Sequence, residues 1–130
     1  MQISISQLNL SLVLRSGQTF RWHQIDVKQH CPEWHIVLPD RVVCLRQSEE
    51  YIFYRTIWPK GSPSDTEPSE CTQQWIRCYF NLHVDLDIIF GAITDPIFTA
   101  ARERFGGGIR LLRQDPWEAL ISFSGSSLTQ

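Results

Sequence analysis

The stretch from Trp58 to Ser69 carries Pro59, Gly61, Pro63 and Pro68 among serines and acidic residues. Proline lacks the N–H that a sheet ladder needs and disrupts a helix interior, so this composition predicts an exposed loop and divides the chain into two regimes. Before it, apolar and polar residues alternate in short runs: Thr19-Phe20-Arg21-Trp22, Trp34-His35-Ile36-Val37-Leu38, Val42-Val43-Cys44-Leu45-Arg46 and, more loosely, Tyr51-Ile52-Phe53-Tyr54-Arg55. Pro39-Asp40 and Ser48-Glu49-Glu50 punctuate them, which predicts an antiparallel meander. A short helical turn precedes it, capped by the Ser11 hydroxyl and ended by Gly17, a residue free to take positive φ.

After the loop the period changes. Cys71, Trp75, Cys78 and Tyr79 fall at helical spacing behind Pro68, and Leu86, Ile89, Phe90 and Ile93 repeat the pattern. Asp95-Pro96 opens a further helix with Ile97, Phe98, Ala101 and Phe105, closed by Gly106-Gly107-Gly108. Ile109-Arg110-Leu111-Leu112 reads as a short extended run, and Asp115-Pro116 starts a last helix bearing Trp117, Leu120 and Ile121. So short a helix is marginal alone and has to pack on something. Strands first and helices afterwards place the fold in the α+β class.

With 130 residues, 42% of them hydrophobic, one globular core is expected. The net charge of −2 excludes a general electrostatic field for nucleic acid, so any such contact has to be local. No apolar run approaches the ~20 residues of a membrane span, and the Met1-Gln2-Ile3-Ser4 start shows no charged leader; a soluble chain with no visible address is expected. Cys31, Cys44, Cys71 and Cys78 form no C-x-x-C pair and read as small hydrophobes of a reducing compartment. His23, His30, His35 and His83 match no zinc spacing, so no metal is expected.

Three strings stand out together: Leu14-Arg15-Ser16-Gly17-Gln18-Thr19-Phe20-Arg21-Trp22, Arg77 with Tyr79-Phe80-Asn81-Leu82 and Asp85-Leu86, and Gly108-Ile109-Arg110-Leu111-Leu112-Arg113-Gln114-Asp115-Pro116-Trp117-Glu118. In order and spacing they resemble the eukaryotic-type 8-oxoguanine DNA glycosylases, whose S-G-Q-x-F-R-W string lies near the start and whose G-x-R-[LIV]-L-R-Q-D-P-x-E string leads into a helical catalytic domain. The resemblance covers the chain nearly end to end. It implies a twisted antiparallel sheet flanked by helices, similar to half of the TATA-binding protein. It divides the chain into an N-terminal domain at 1–114 and, at 115–130, the first helix of a helix-hairpin-helix domain. It also implies a monomer that needs no cofactor, works in base-excision repair in the nucleus, and has as partner double-stranded DNA containing 8-oxoguanine, bound weakly or not at all by these residues alone.

The same resemblance implies that the main-chain carbonyl of Gly17 reads the lesion; the residue taken alone reads equally as the end of a helical turn. Arg110 and Arg113 either touch the DNA backbone or cover the adjoining helix with their stems. Arg21 and Trp22 suit base stacking, yet on an alternating strand they read as core.

The family's reaction is glycosidic cleavage of a flipped base by a lysine amine through a Schiff base, with an aspartate beyond a glycine-rich hairpin. The two lysines here, Lys28 beside Asp26 and Lys60 in the Pro/Ser loop, lack the desolvated setting that activates an amine. The tail Ser122-Phe123-Ser124-Gly125-Ser126-Ser127-Leu128-Thr129-Gln130 also departs from the family's S-F-I-C-S-S-N-N-N. The expectation is therefore a chain that stops before the catalytic residues and is inactive by itself. The alternatives are a non-enzymatic protein-interaction module, or an unstable product that exposes Trp117, Leu120 and Ile121.

Overall fold

The computed structural model describes residues 1–5, 7–25, 32–38, 40–58, 70–105 and 108–127. The elements run β1 (Gln2–Ser4), α1 (Leu10–Arg15), β2 (Trp22–Ile25), β3 (Glu33–Val37), β4 (Val42–Gln47), β5 (Tyr51–Trp58), α2 (Glu70–Tyr79), α3 (Leu86–Gly91), α4 (Pro96–Phe105) and α5 (Pro116–Ser127). The fold is α+β: one five-stranded antiparallel sheet in the order β1-β5-β4-β3-β2, with helices. The expected meander is β2 to β5. The three-residue β1, too short to show a period, adds to its edge by pairing Ile3 with Ile52.

Strand alternation sends one row of side chains inward. Cross-strand register aligns Trp22, Ile36 and Val43 in one rank and Trp34, Leu45 and Tyr54 in the next. Leu10, Val13 and Leu14 of α1, and Ile76, Tyr79 and Phe80 at the end of α2, complete this core. The buried side of α2 is thus Thr72, Ile76 and Tyr79, whereas Cys71 of the expected face is exposed. Strand β2 also starts later than the alternation from Thr19 suggests, at Trp22, and Arg21 is half-exposed and ion-paired rather than core. The cap of α1 is Asn9, whose Oδ1 accepts from the Leu12 N–H at 3.0 Å, and not Ser11.

Later elements follow their caps. Asp95 Oδ1 accepts from Phe98 N–H and Asp115 Oδ1 from Glu118 N–H, each at 2.9 Å, so both Asp-Pro pairs start helices. Helix α5 runs to Ser127, longer than expected, with Trp117 and Phe123 about 70% exposed. No residue of α4 is buried. The proline-rich loop, Cys31, Lys28 and Lys60 lie outside the described residues. Among the described residues no helix is long and apolar enough to cross a membrane.

Among the described residues the core holds a polar relay. Trp22 Nε1–H donates to the Tyr79 hydroxyl at 3.1 Å, and that hydroxyl donates on to Thr19 Oγ1 at 3.4 Å. Burial raises the Tyr79 phenol above its ordinary pKa, against the hydrogen bonds to Thr19 and Trp22. A raised pKa favours the protonated fold, so this contribution is complete below the unfolded phenol's value near 10 and is lost as pH climbs through the folded one. Tyr79→Phe is expected to cost about 1–2 kcal/mol at pH 7, because Trp22 Nε1 loses its acceptor, and to flatten the fall in stability above pH ~10. Urea unfolding at neutral and alkaline pH checks both; an unchanged alkaline slope would exclude Tyr79 as its source.

Candidate functional site

Helix α1 ends by a local device. Ser16 turns back on it, its N–H and its hydroxyl both donating to the Val13 carbonyl, at 3.3 and 2.7 Å. Gly17 then takes φ +81°, a left-handed conformation that a side chain would strain. It is exposed, nothing lies within 4 Å of where a Cβ would stand, and among the described residues its carbonyl accepts no hydrogen bond.

The next residue holds this turn to the far end of the chain. Gln18 Nε2 donates to the Ser16 hydroxyl and to the Arg110 carbonyl, both at 3.0 Å, while its Oε1 accepts from Leu112 N–H at 2.9 Å. Gln114 Nε2 donates in turn to the Gln18 carbonyl. The side-chain amide thus does for Arg110-Leu111-Leu112 what a neighbouring strand would do. Arg21 adds an ion pair with Glu118 of α5 at 2.9 Å, across the same seam.

Arg110 underlies the seam. It is 3% exposed, and its guanidinium donates to the carbonyls of Gln7 (3.1 Å), Asn81 (2.7 Å) and Val84 (2.9 Å). These surroundings fit a cation that braces the fold and do not fit one that meets a phosphate, so Arg110 is removed from the candidate DNA contacts. Burial accordingly lowers its pKa, with Asp85 acting in the other direction. The Tyr79-Phe80-Asn81-Leu82 string explains the receptor: Asn81, at φ +49°, ends α2 while Leu82 N–H donates to the Arg77 carbonyl at 2.9 Å. Its side-chain amide donates to the Leu111 carbonyl at 2.8 Å. Gly108 allows the segment to pass close to α1, since a Cβ there would stand 2.9 Å from that of Asn9.

Arg113 is different. Its N–H donates to the Tyr79 carbonyl at 2.8 Å while its side chain stays exposed, at the edge of a cleft of about 410 Å³ shared with Arg21, Trp75, Gln114 and Glu118. The three strings are therefore one structure, in which the Gly17 carbonyl and the Arg113 guanidinium take part in no hydrogen bond among the described residues.

A second cluster lies on the other face of the sheet. Register sets His35 opposite Cys44, and alternation puts Glu33 on the same side. His35 Nε2 is 2.6 Å from Glu33 Oε1, to which Arg55 Nη2 also donates at 3.2 Å. One ligand atom from each of Glu33, His35 and Cys44 lies within 4.8 Å of the others. Burial and the Glu33 carboxylate push the Cys44 thiol up to about 11. For Glu33, burial works upward but the hydrogen bonds from His35 and Cys44 and the Arg55 charge outweigh it, so its pKa is lowered. Linear histidine spacing missed this group because its members come from two strands; the E-x-H step and a register would have shown it.

Residues 1–120 match the family described as 8-oxoguanine DNA glycosylase, N-terminal domain. The N-glycosylase/DNA lyase of Saccharomyces cerevisiae is 34% identical over 128 residues, 96% of this chain and 33% of that protein. Among solved structures, MBOgg1 in complex with a low affinity DNA ligand gives a TM-score of 0.74 at 30% identity, covering 99% of this chain and 40% of that one. The apo form of Clostridium acetobutylicum 8-oxoguanine glycosylase/lyase gives 0.72 at 27% identity, covering 98% and 40%. The chain thus spans about a third to two fifths of the length of these relatives. Sequence match, fold and the joining of the three strings agree: the chain belongs to the 8-oxoguanine DNA glycosylase N-terminal domain family.

Proposed function

We propose that this chain is the lesion-reading part of a base-excision repair glycosylase/lyase, and that the Gly17 carbonyl is the reading group. The observation that carries this is an exposed glycine, its carbonyl unclaimed among the described residues, on a turn locked on both sides by Ser16 and Gln18. Guanine offers an acceptor at N7 whereas 8-oxoguanine offers N7–H, so a fixed carbonyl meets a donor in one and a repelling lone pair in the other. A mismatch of that kind costs about 1–3 kcal/mol, or roughly tenfold to a hundredfold in preference. The open space above Gly17 admits a base, and Arg113 supplies a phosphate contact beside it.

The partner in this reading is duplex DNA containing 8-oxoguanine in the nucleus, met by a monomer. Residues 115–130 begin the helical domain, and no attacking amine comes from these 130 residues. Their two lysines, Lys28 and Lys60, sit in polar sequence and not in the apolar setting that activates an amine.

Carbonyl-labelled NMR tests the reading group. The Gly17 carbonyl resonance is expected to move with 8-oxoguanosine and to stay with guanosine; equal responses, or none, would remove Gly17 from the role. Borohydride trapping on a duplex with 8-oxoguanine opposite cytosine tests the chemistry. No adduct is expected, and a covalent one would overturn the assignment of the amine elsewhere.

A further inference from the structure

The face of the sheet turned away from α1 and α2 bears a polar group that lesion reading does not use. We propose that Glu33, His35 and Cys44 form a site for a borderline-soft divalent cation of the zinc type, bound by one oxygen, one nitrogen and one sulfur.

The donor set is the first argument. Imidazole and thiolate select zinc-like ions over magnesium or calcium, and three protein ligands with one open position make a tetrahedral site. Bond lengths for that ion place donor atoms roughly 3.3–3.8 Å apart. The His35 Nε2–Glu33 Oε1 pair is closer than that, at 2.6 Å, and the three atoms all lie within 4.8 Å of one another, so side-chain adjustment reaches the spacing. Two neighbouring strands in the middle of the sheet carry them, which holds their Cα positions fixed.

Charge balance is the second. The metal-free cluster is neutralised by two positive partners, the Cys44 proton and the Arg55 guanidinium on Glu33. A dication replaces both: the thiol proton leaves to solvent, the His35 proton passes from Nε2 to Nδ1 so that Nε2 offers its lone pair, Arg55 swings away, and the cation is matched by one thiolate and one carboxylate. Glu33 and Cys44 are 6% and 2% exposed, so a site that ends neutral avoids leaving a buried net charge. Arg55 can leave because its side chain is already 64% exposed. An open cavity of about 310 Å³, lined by Met1, Arg46, Phe53 and Arg55 as well as Glu33 and Cys44, provides the way in and room for a water on the fourth position.

The test titrates the reduced, metal-free 130-residue chain with Co²⁺, read by its near-ultraviolet thiolate charge-transfer band, and then displaces it with Zn²⁺. One equivalent is expected to give the band and tetrahedral d–d intensity. A chain with Cys31→Ser, Cys71→Ser and Cys78→Ser, which keeps Cys44 as its one thiol, should retain both. Cys44→Ser should abolish the band, and His35→Ala should weaken binding at least tenfold. Arg55→Gln should tighten binding, by roughly tenfold, because a competing positive charge is gone. Loss of the band in the Cys44-only chain, its survival in Cys44→Ser, or weaker binding in Arg55→Gln would each overturn the site. If Cys44→Ser fails to fold by circular dichroism, the Cys44-only chain decides.

Discussion

Replacing Arg110 by methionine is expected to lower stability by about 3–5 kcal/mol, a large share of what a domain of this size has. The volume is nearly conserved, so the loss comes from the carbonyls of Gln7, Asn81 and Val84, which stay inside the fold without the donor they face. Each hydrogen bond to a charged group contributes about 1.5–3 kcal/mol, and the three share one guanidinium, so their sum is not additive. Arg110→Lys should recover only part, since an ammonium radiates from a point and cannot span three carbonyls set around a planar fork. Urea unfolding of the wild type and both variants gives the measure. A loss below about 1 kcal/mol for methionine would mean that the segments around residues 7, 81 and 84 reach other donors, and Arg110 would lose its bracing role.

Gln18→Leu should come next, at about 2–3 kcal/mol, because Leu112 N–H and the Arg110 carbonyl lose their partners in a part-buried seam. On the proposed reading role of Gly17, its effect on recognition should exceed its effect on the fold. Gly17 would keep its positive φ but lose the brace on its C-terminal side, and a carbonyl free to wander discriminates less between a donor and an acceptor. The 8-oxoguanosine-dependent shift of the Gly17 carbonyl should fall toward the guanosine value under conditions where circular dichroism shows the variant folded. Undiminished selectivity would mean that the turn holds itself through Ser16 alone.

Much of this architecture was legible in the order of periods. Alternation between Trp34 and Arg55 carried its own strand assignments, and both Asp-Pro pairs declared their helices, because each signal is local. The start of the chain was less plain. Asn9 caps α1 through a side chain whose backbone N–H is held by the Gly108 carbonyl 99 residues on, at 2.7 Å, and no local pattern contains that fact. Arg110 shows the same limit. A cation beside a family string suits phosphate or core equally, until the left-handed Asn81 turn is seen to aim its carbonyl inward. Gly17 was the reverse: its sequence neighbours marked it, and the structure adds a left-handed turn with open space where a Cβ would stand. The Glu33, His35 and Cys44 group needed a register between two strands, which periodicity implies but does not number.

The seam between the turn and the last extended segment also governs when this domain becomes competent. Gln18 meets its partners 92 to 96 residues later, Arg21 finds Glu118 97 residues later, and Arg110 reaches back 103 residues to Gln7. Contacts so remote in sequence close late, because the entropy of joining distant segments is lost before the contacts repay it. During synthesis every strand is present once β5 has emerged, whereas the seam that braces Gly17 from its Gln18 side is complete only when Glu118 clears the ribosome. At about 5–20 residues per second that interval from Trp58 lasts roughly 3–12 seconds, during which the Gly17 turn stays without its Gln18 contacts until the segment that leads into α5 has arrived.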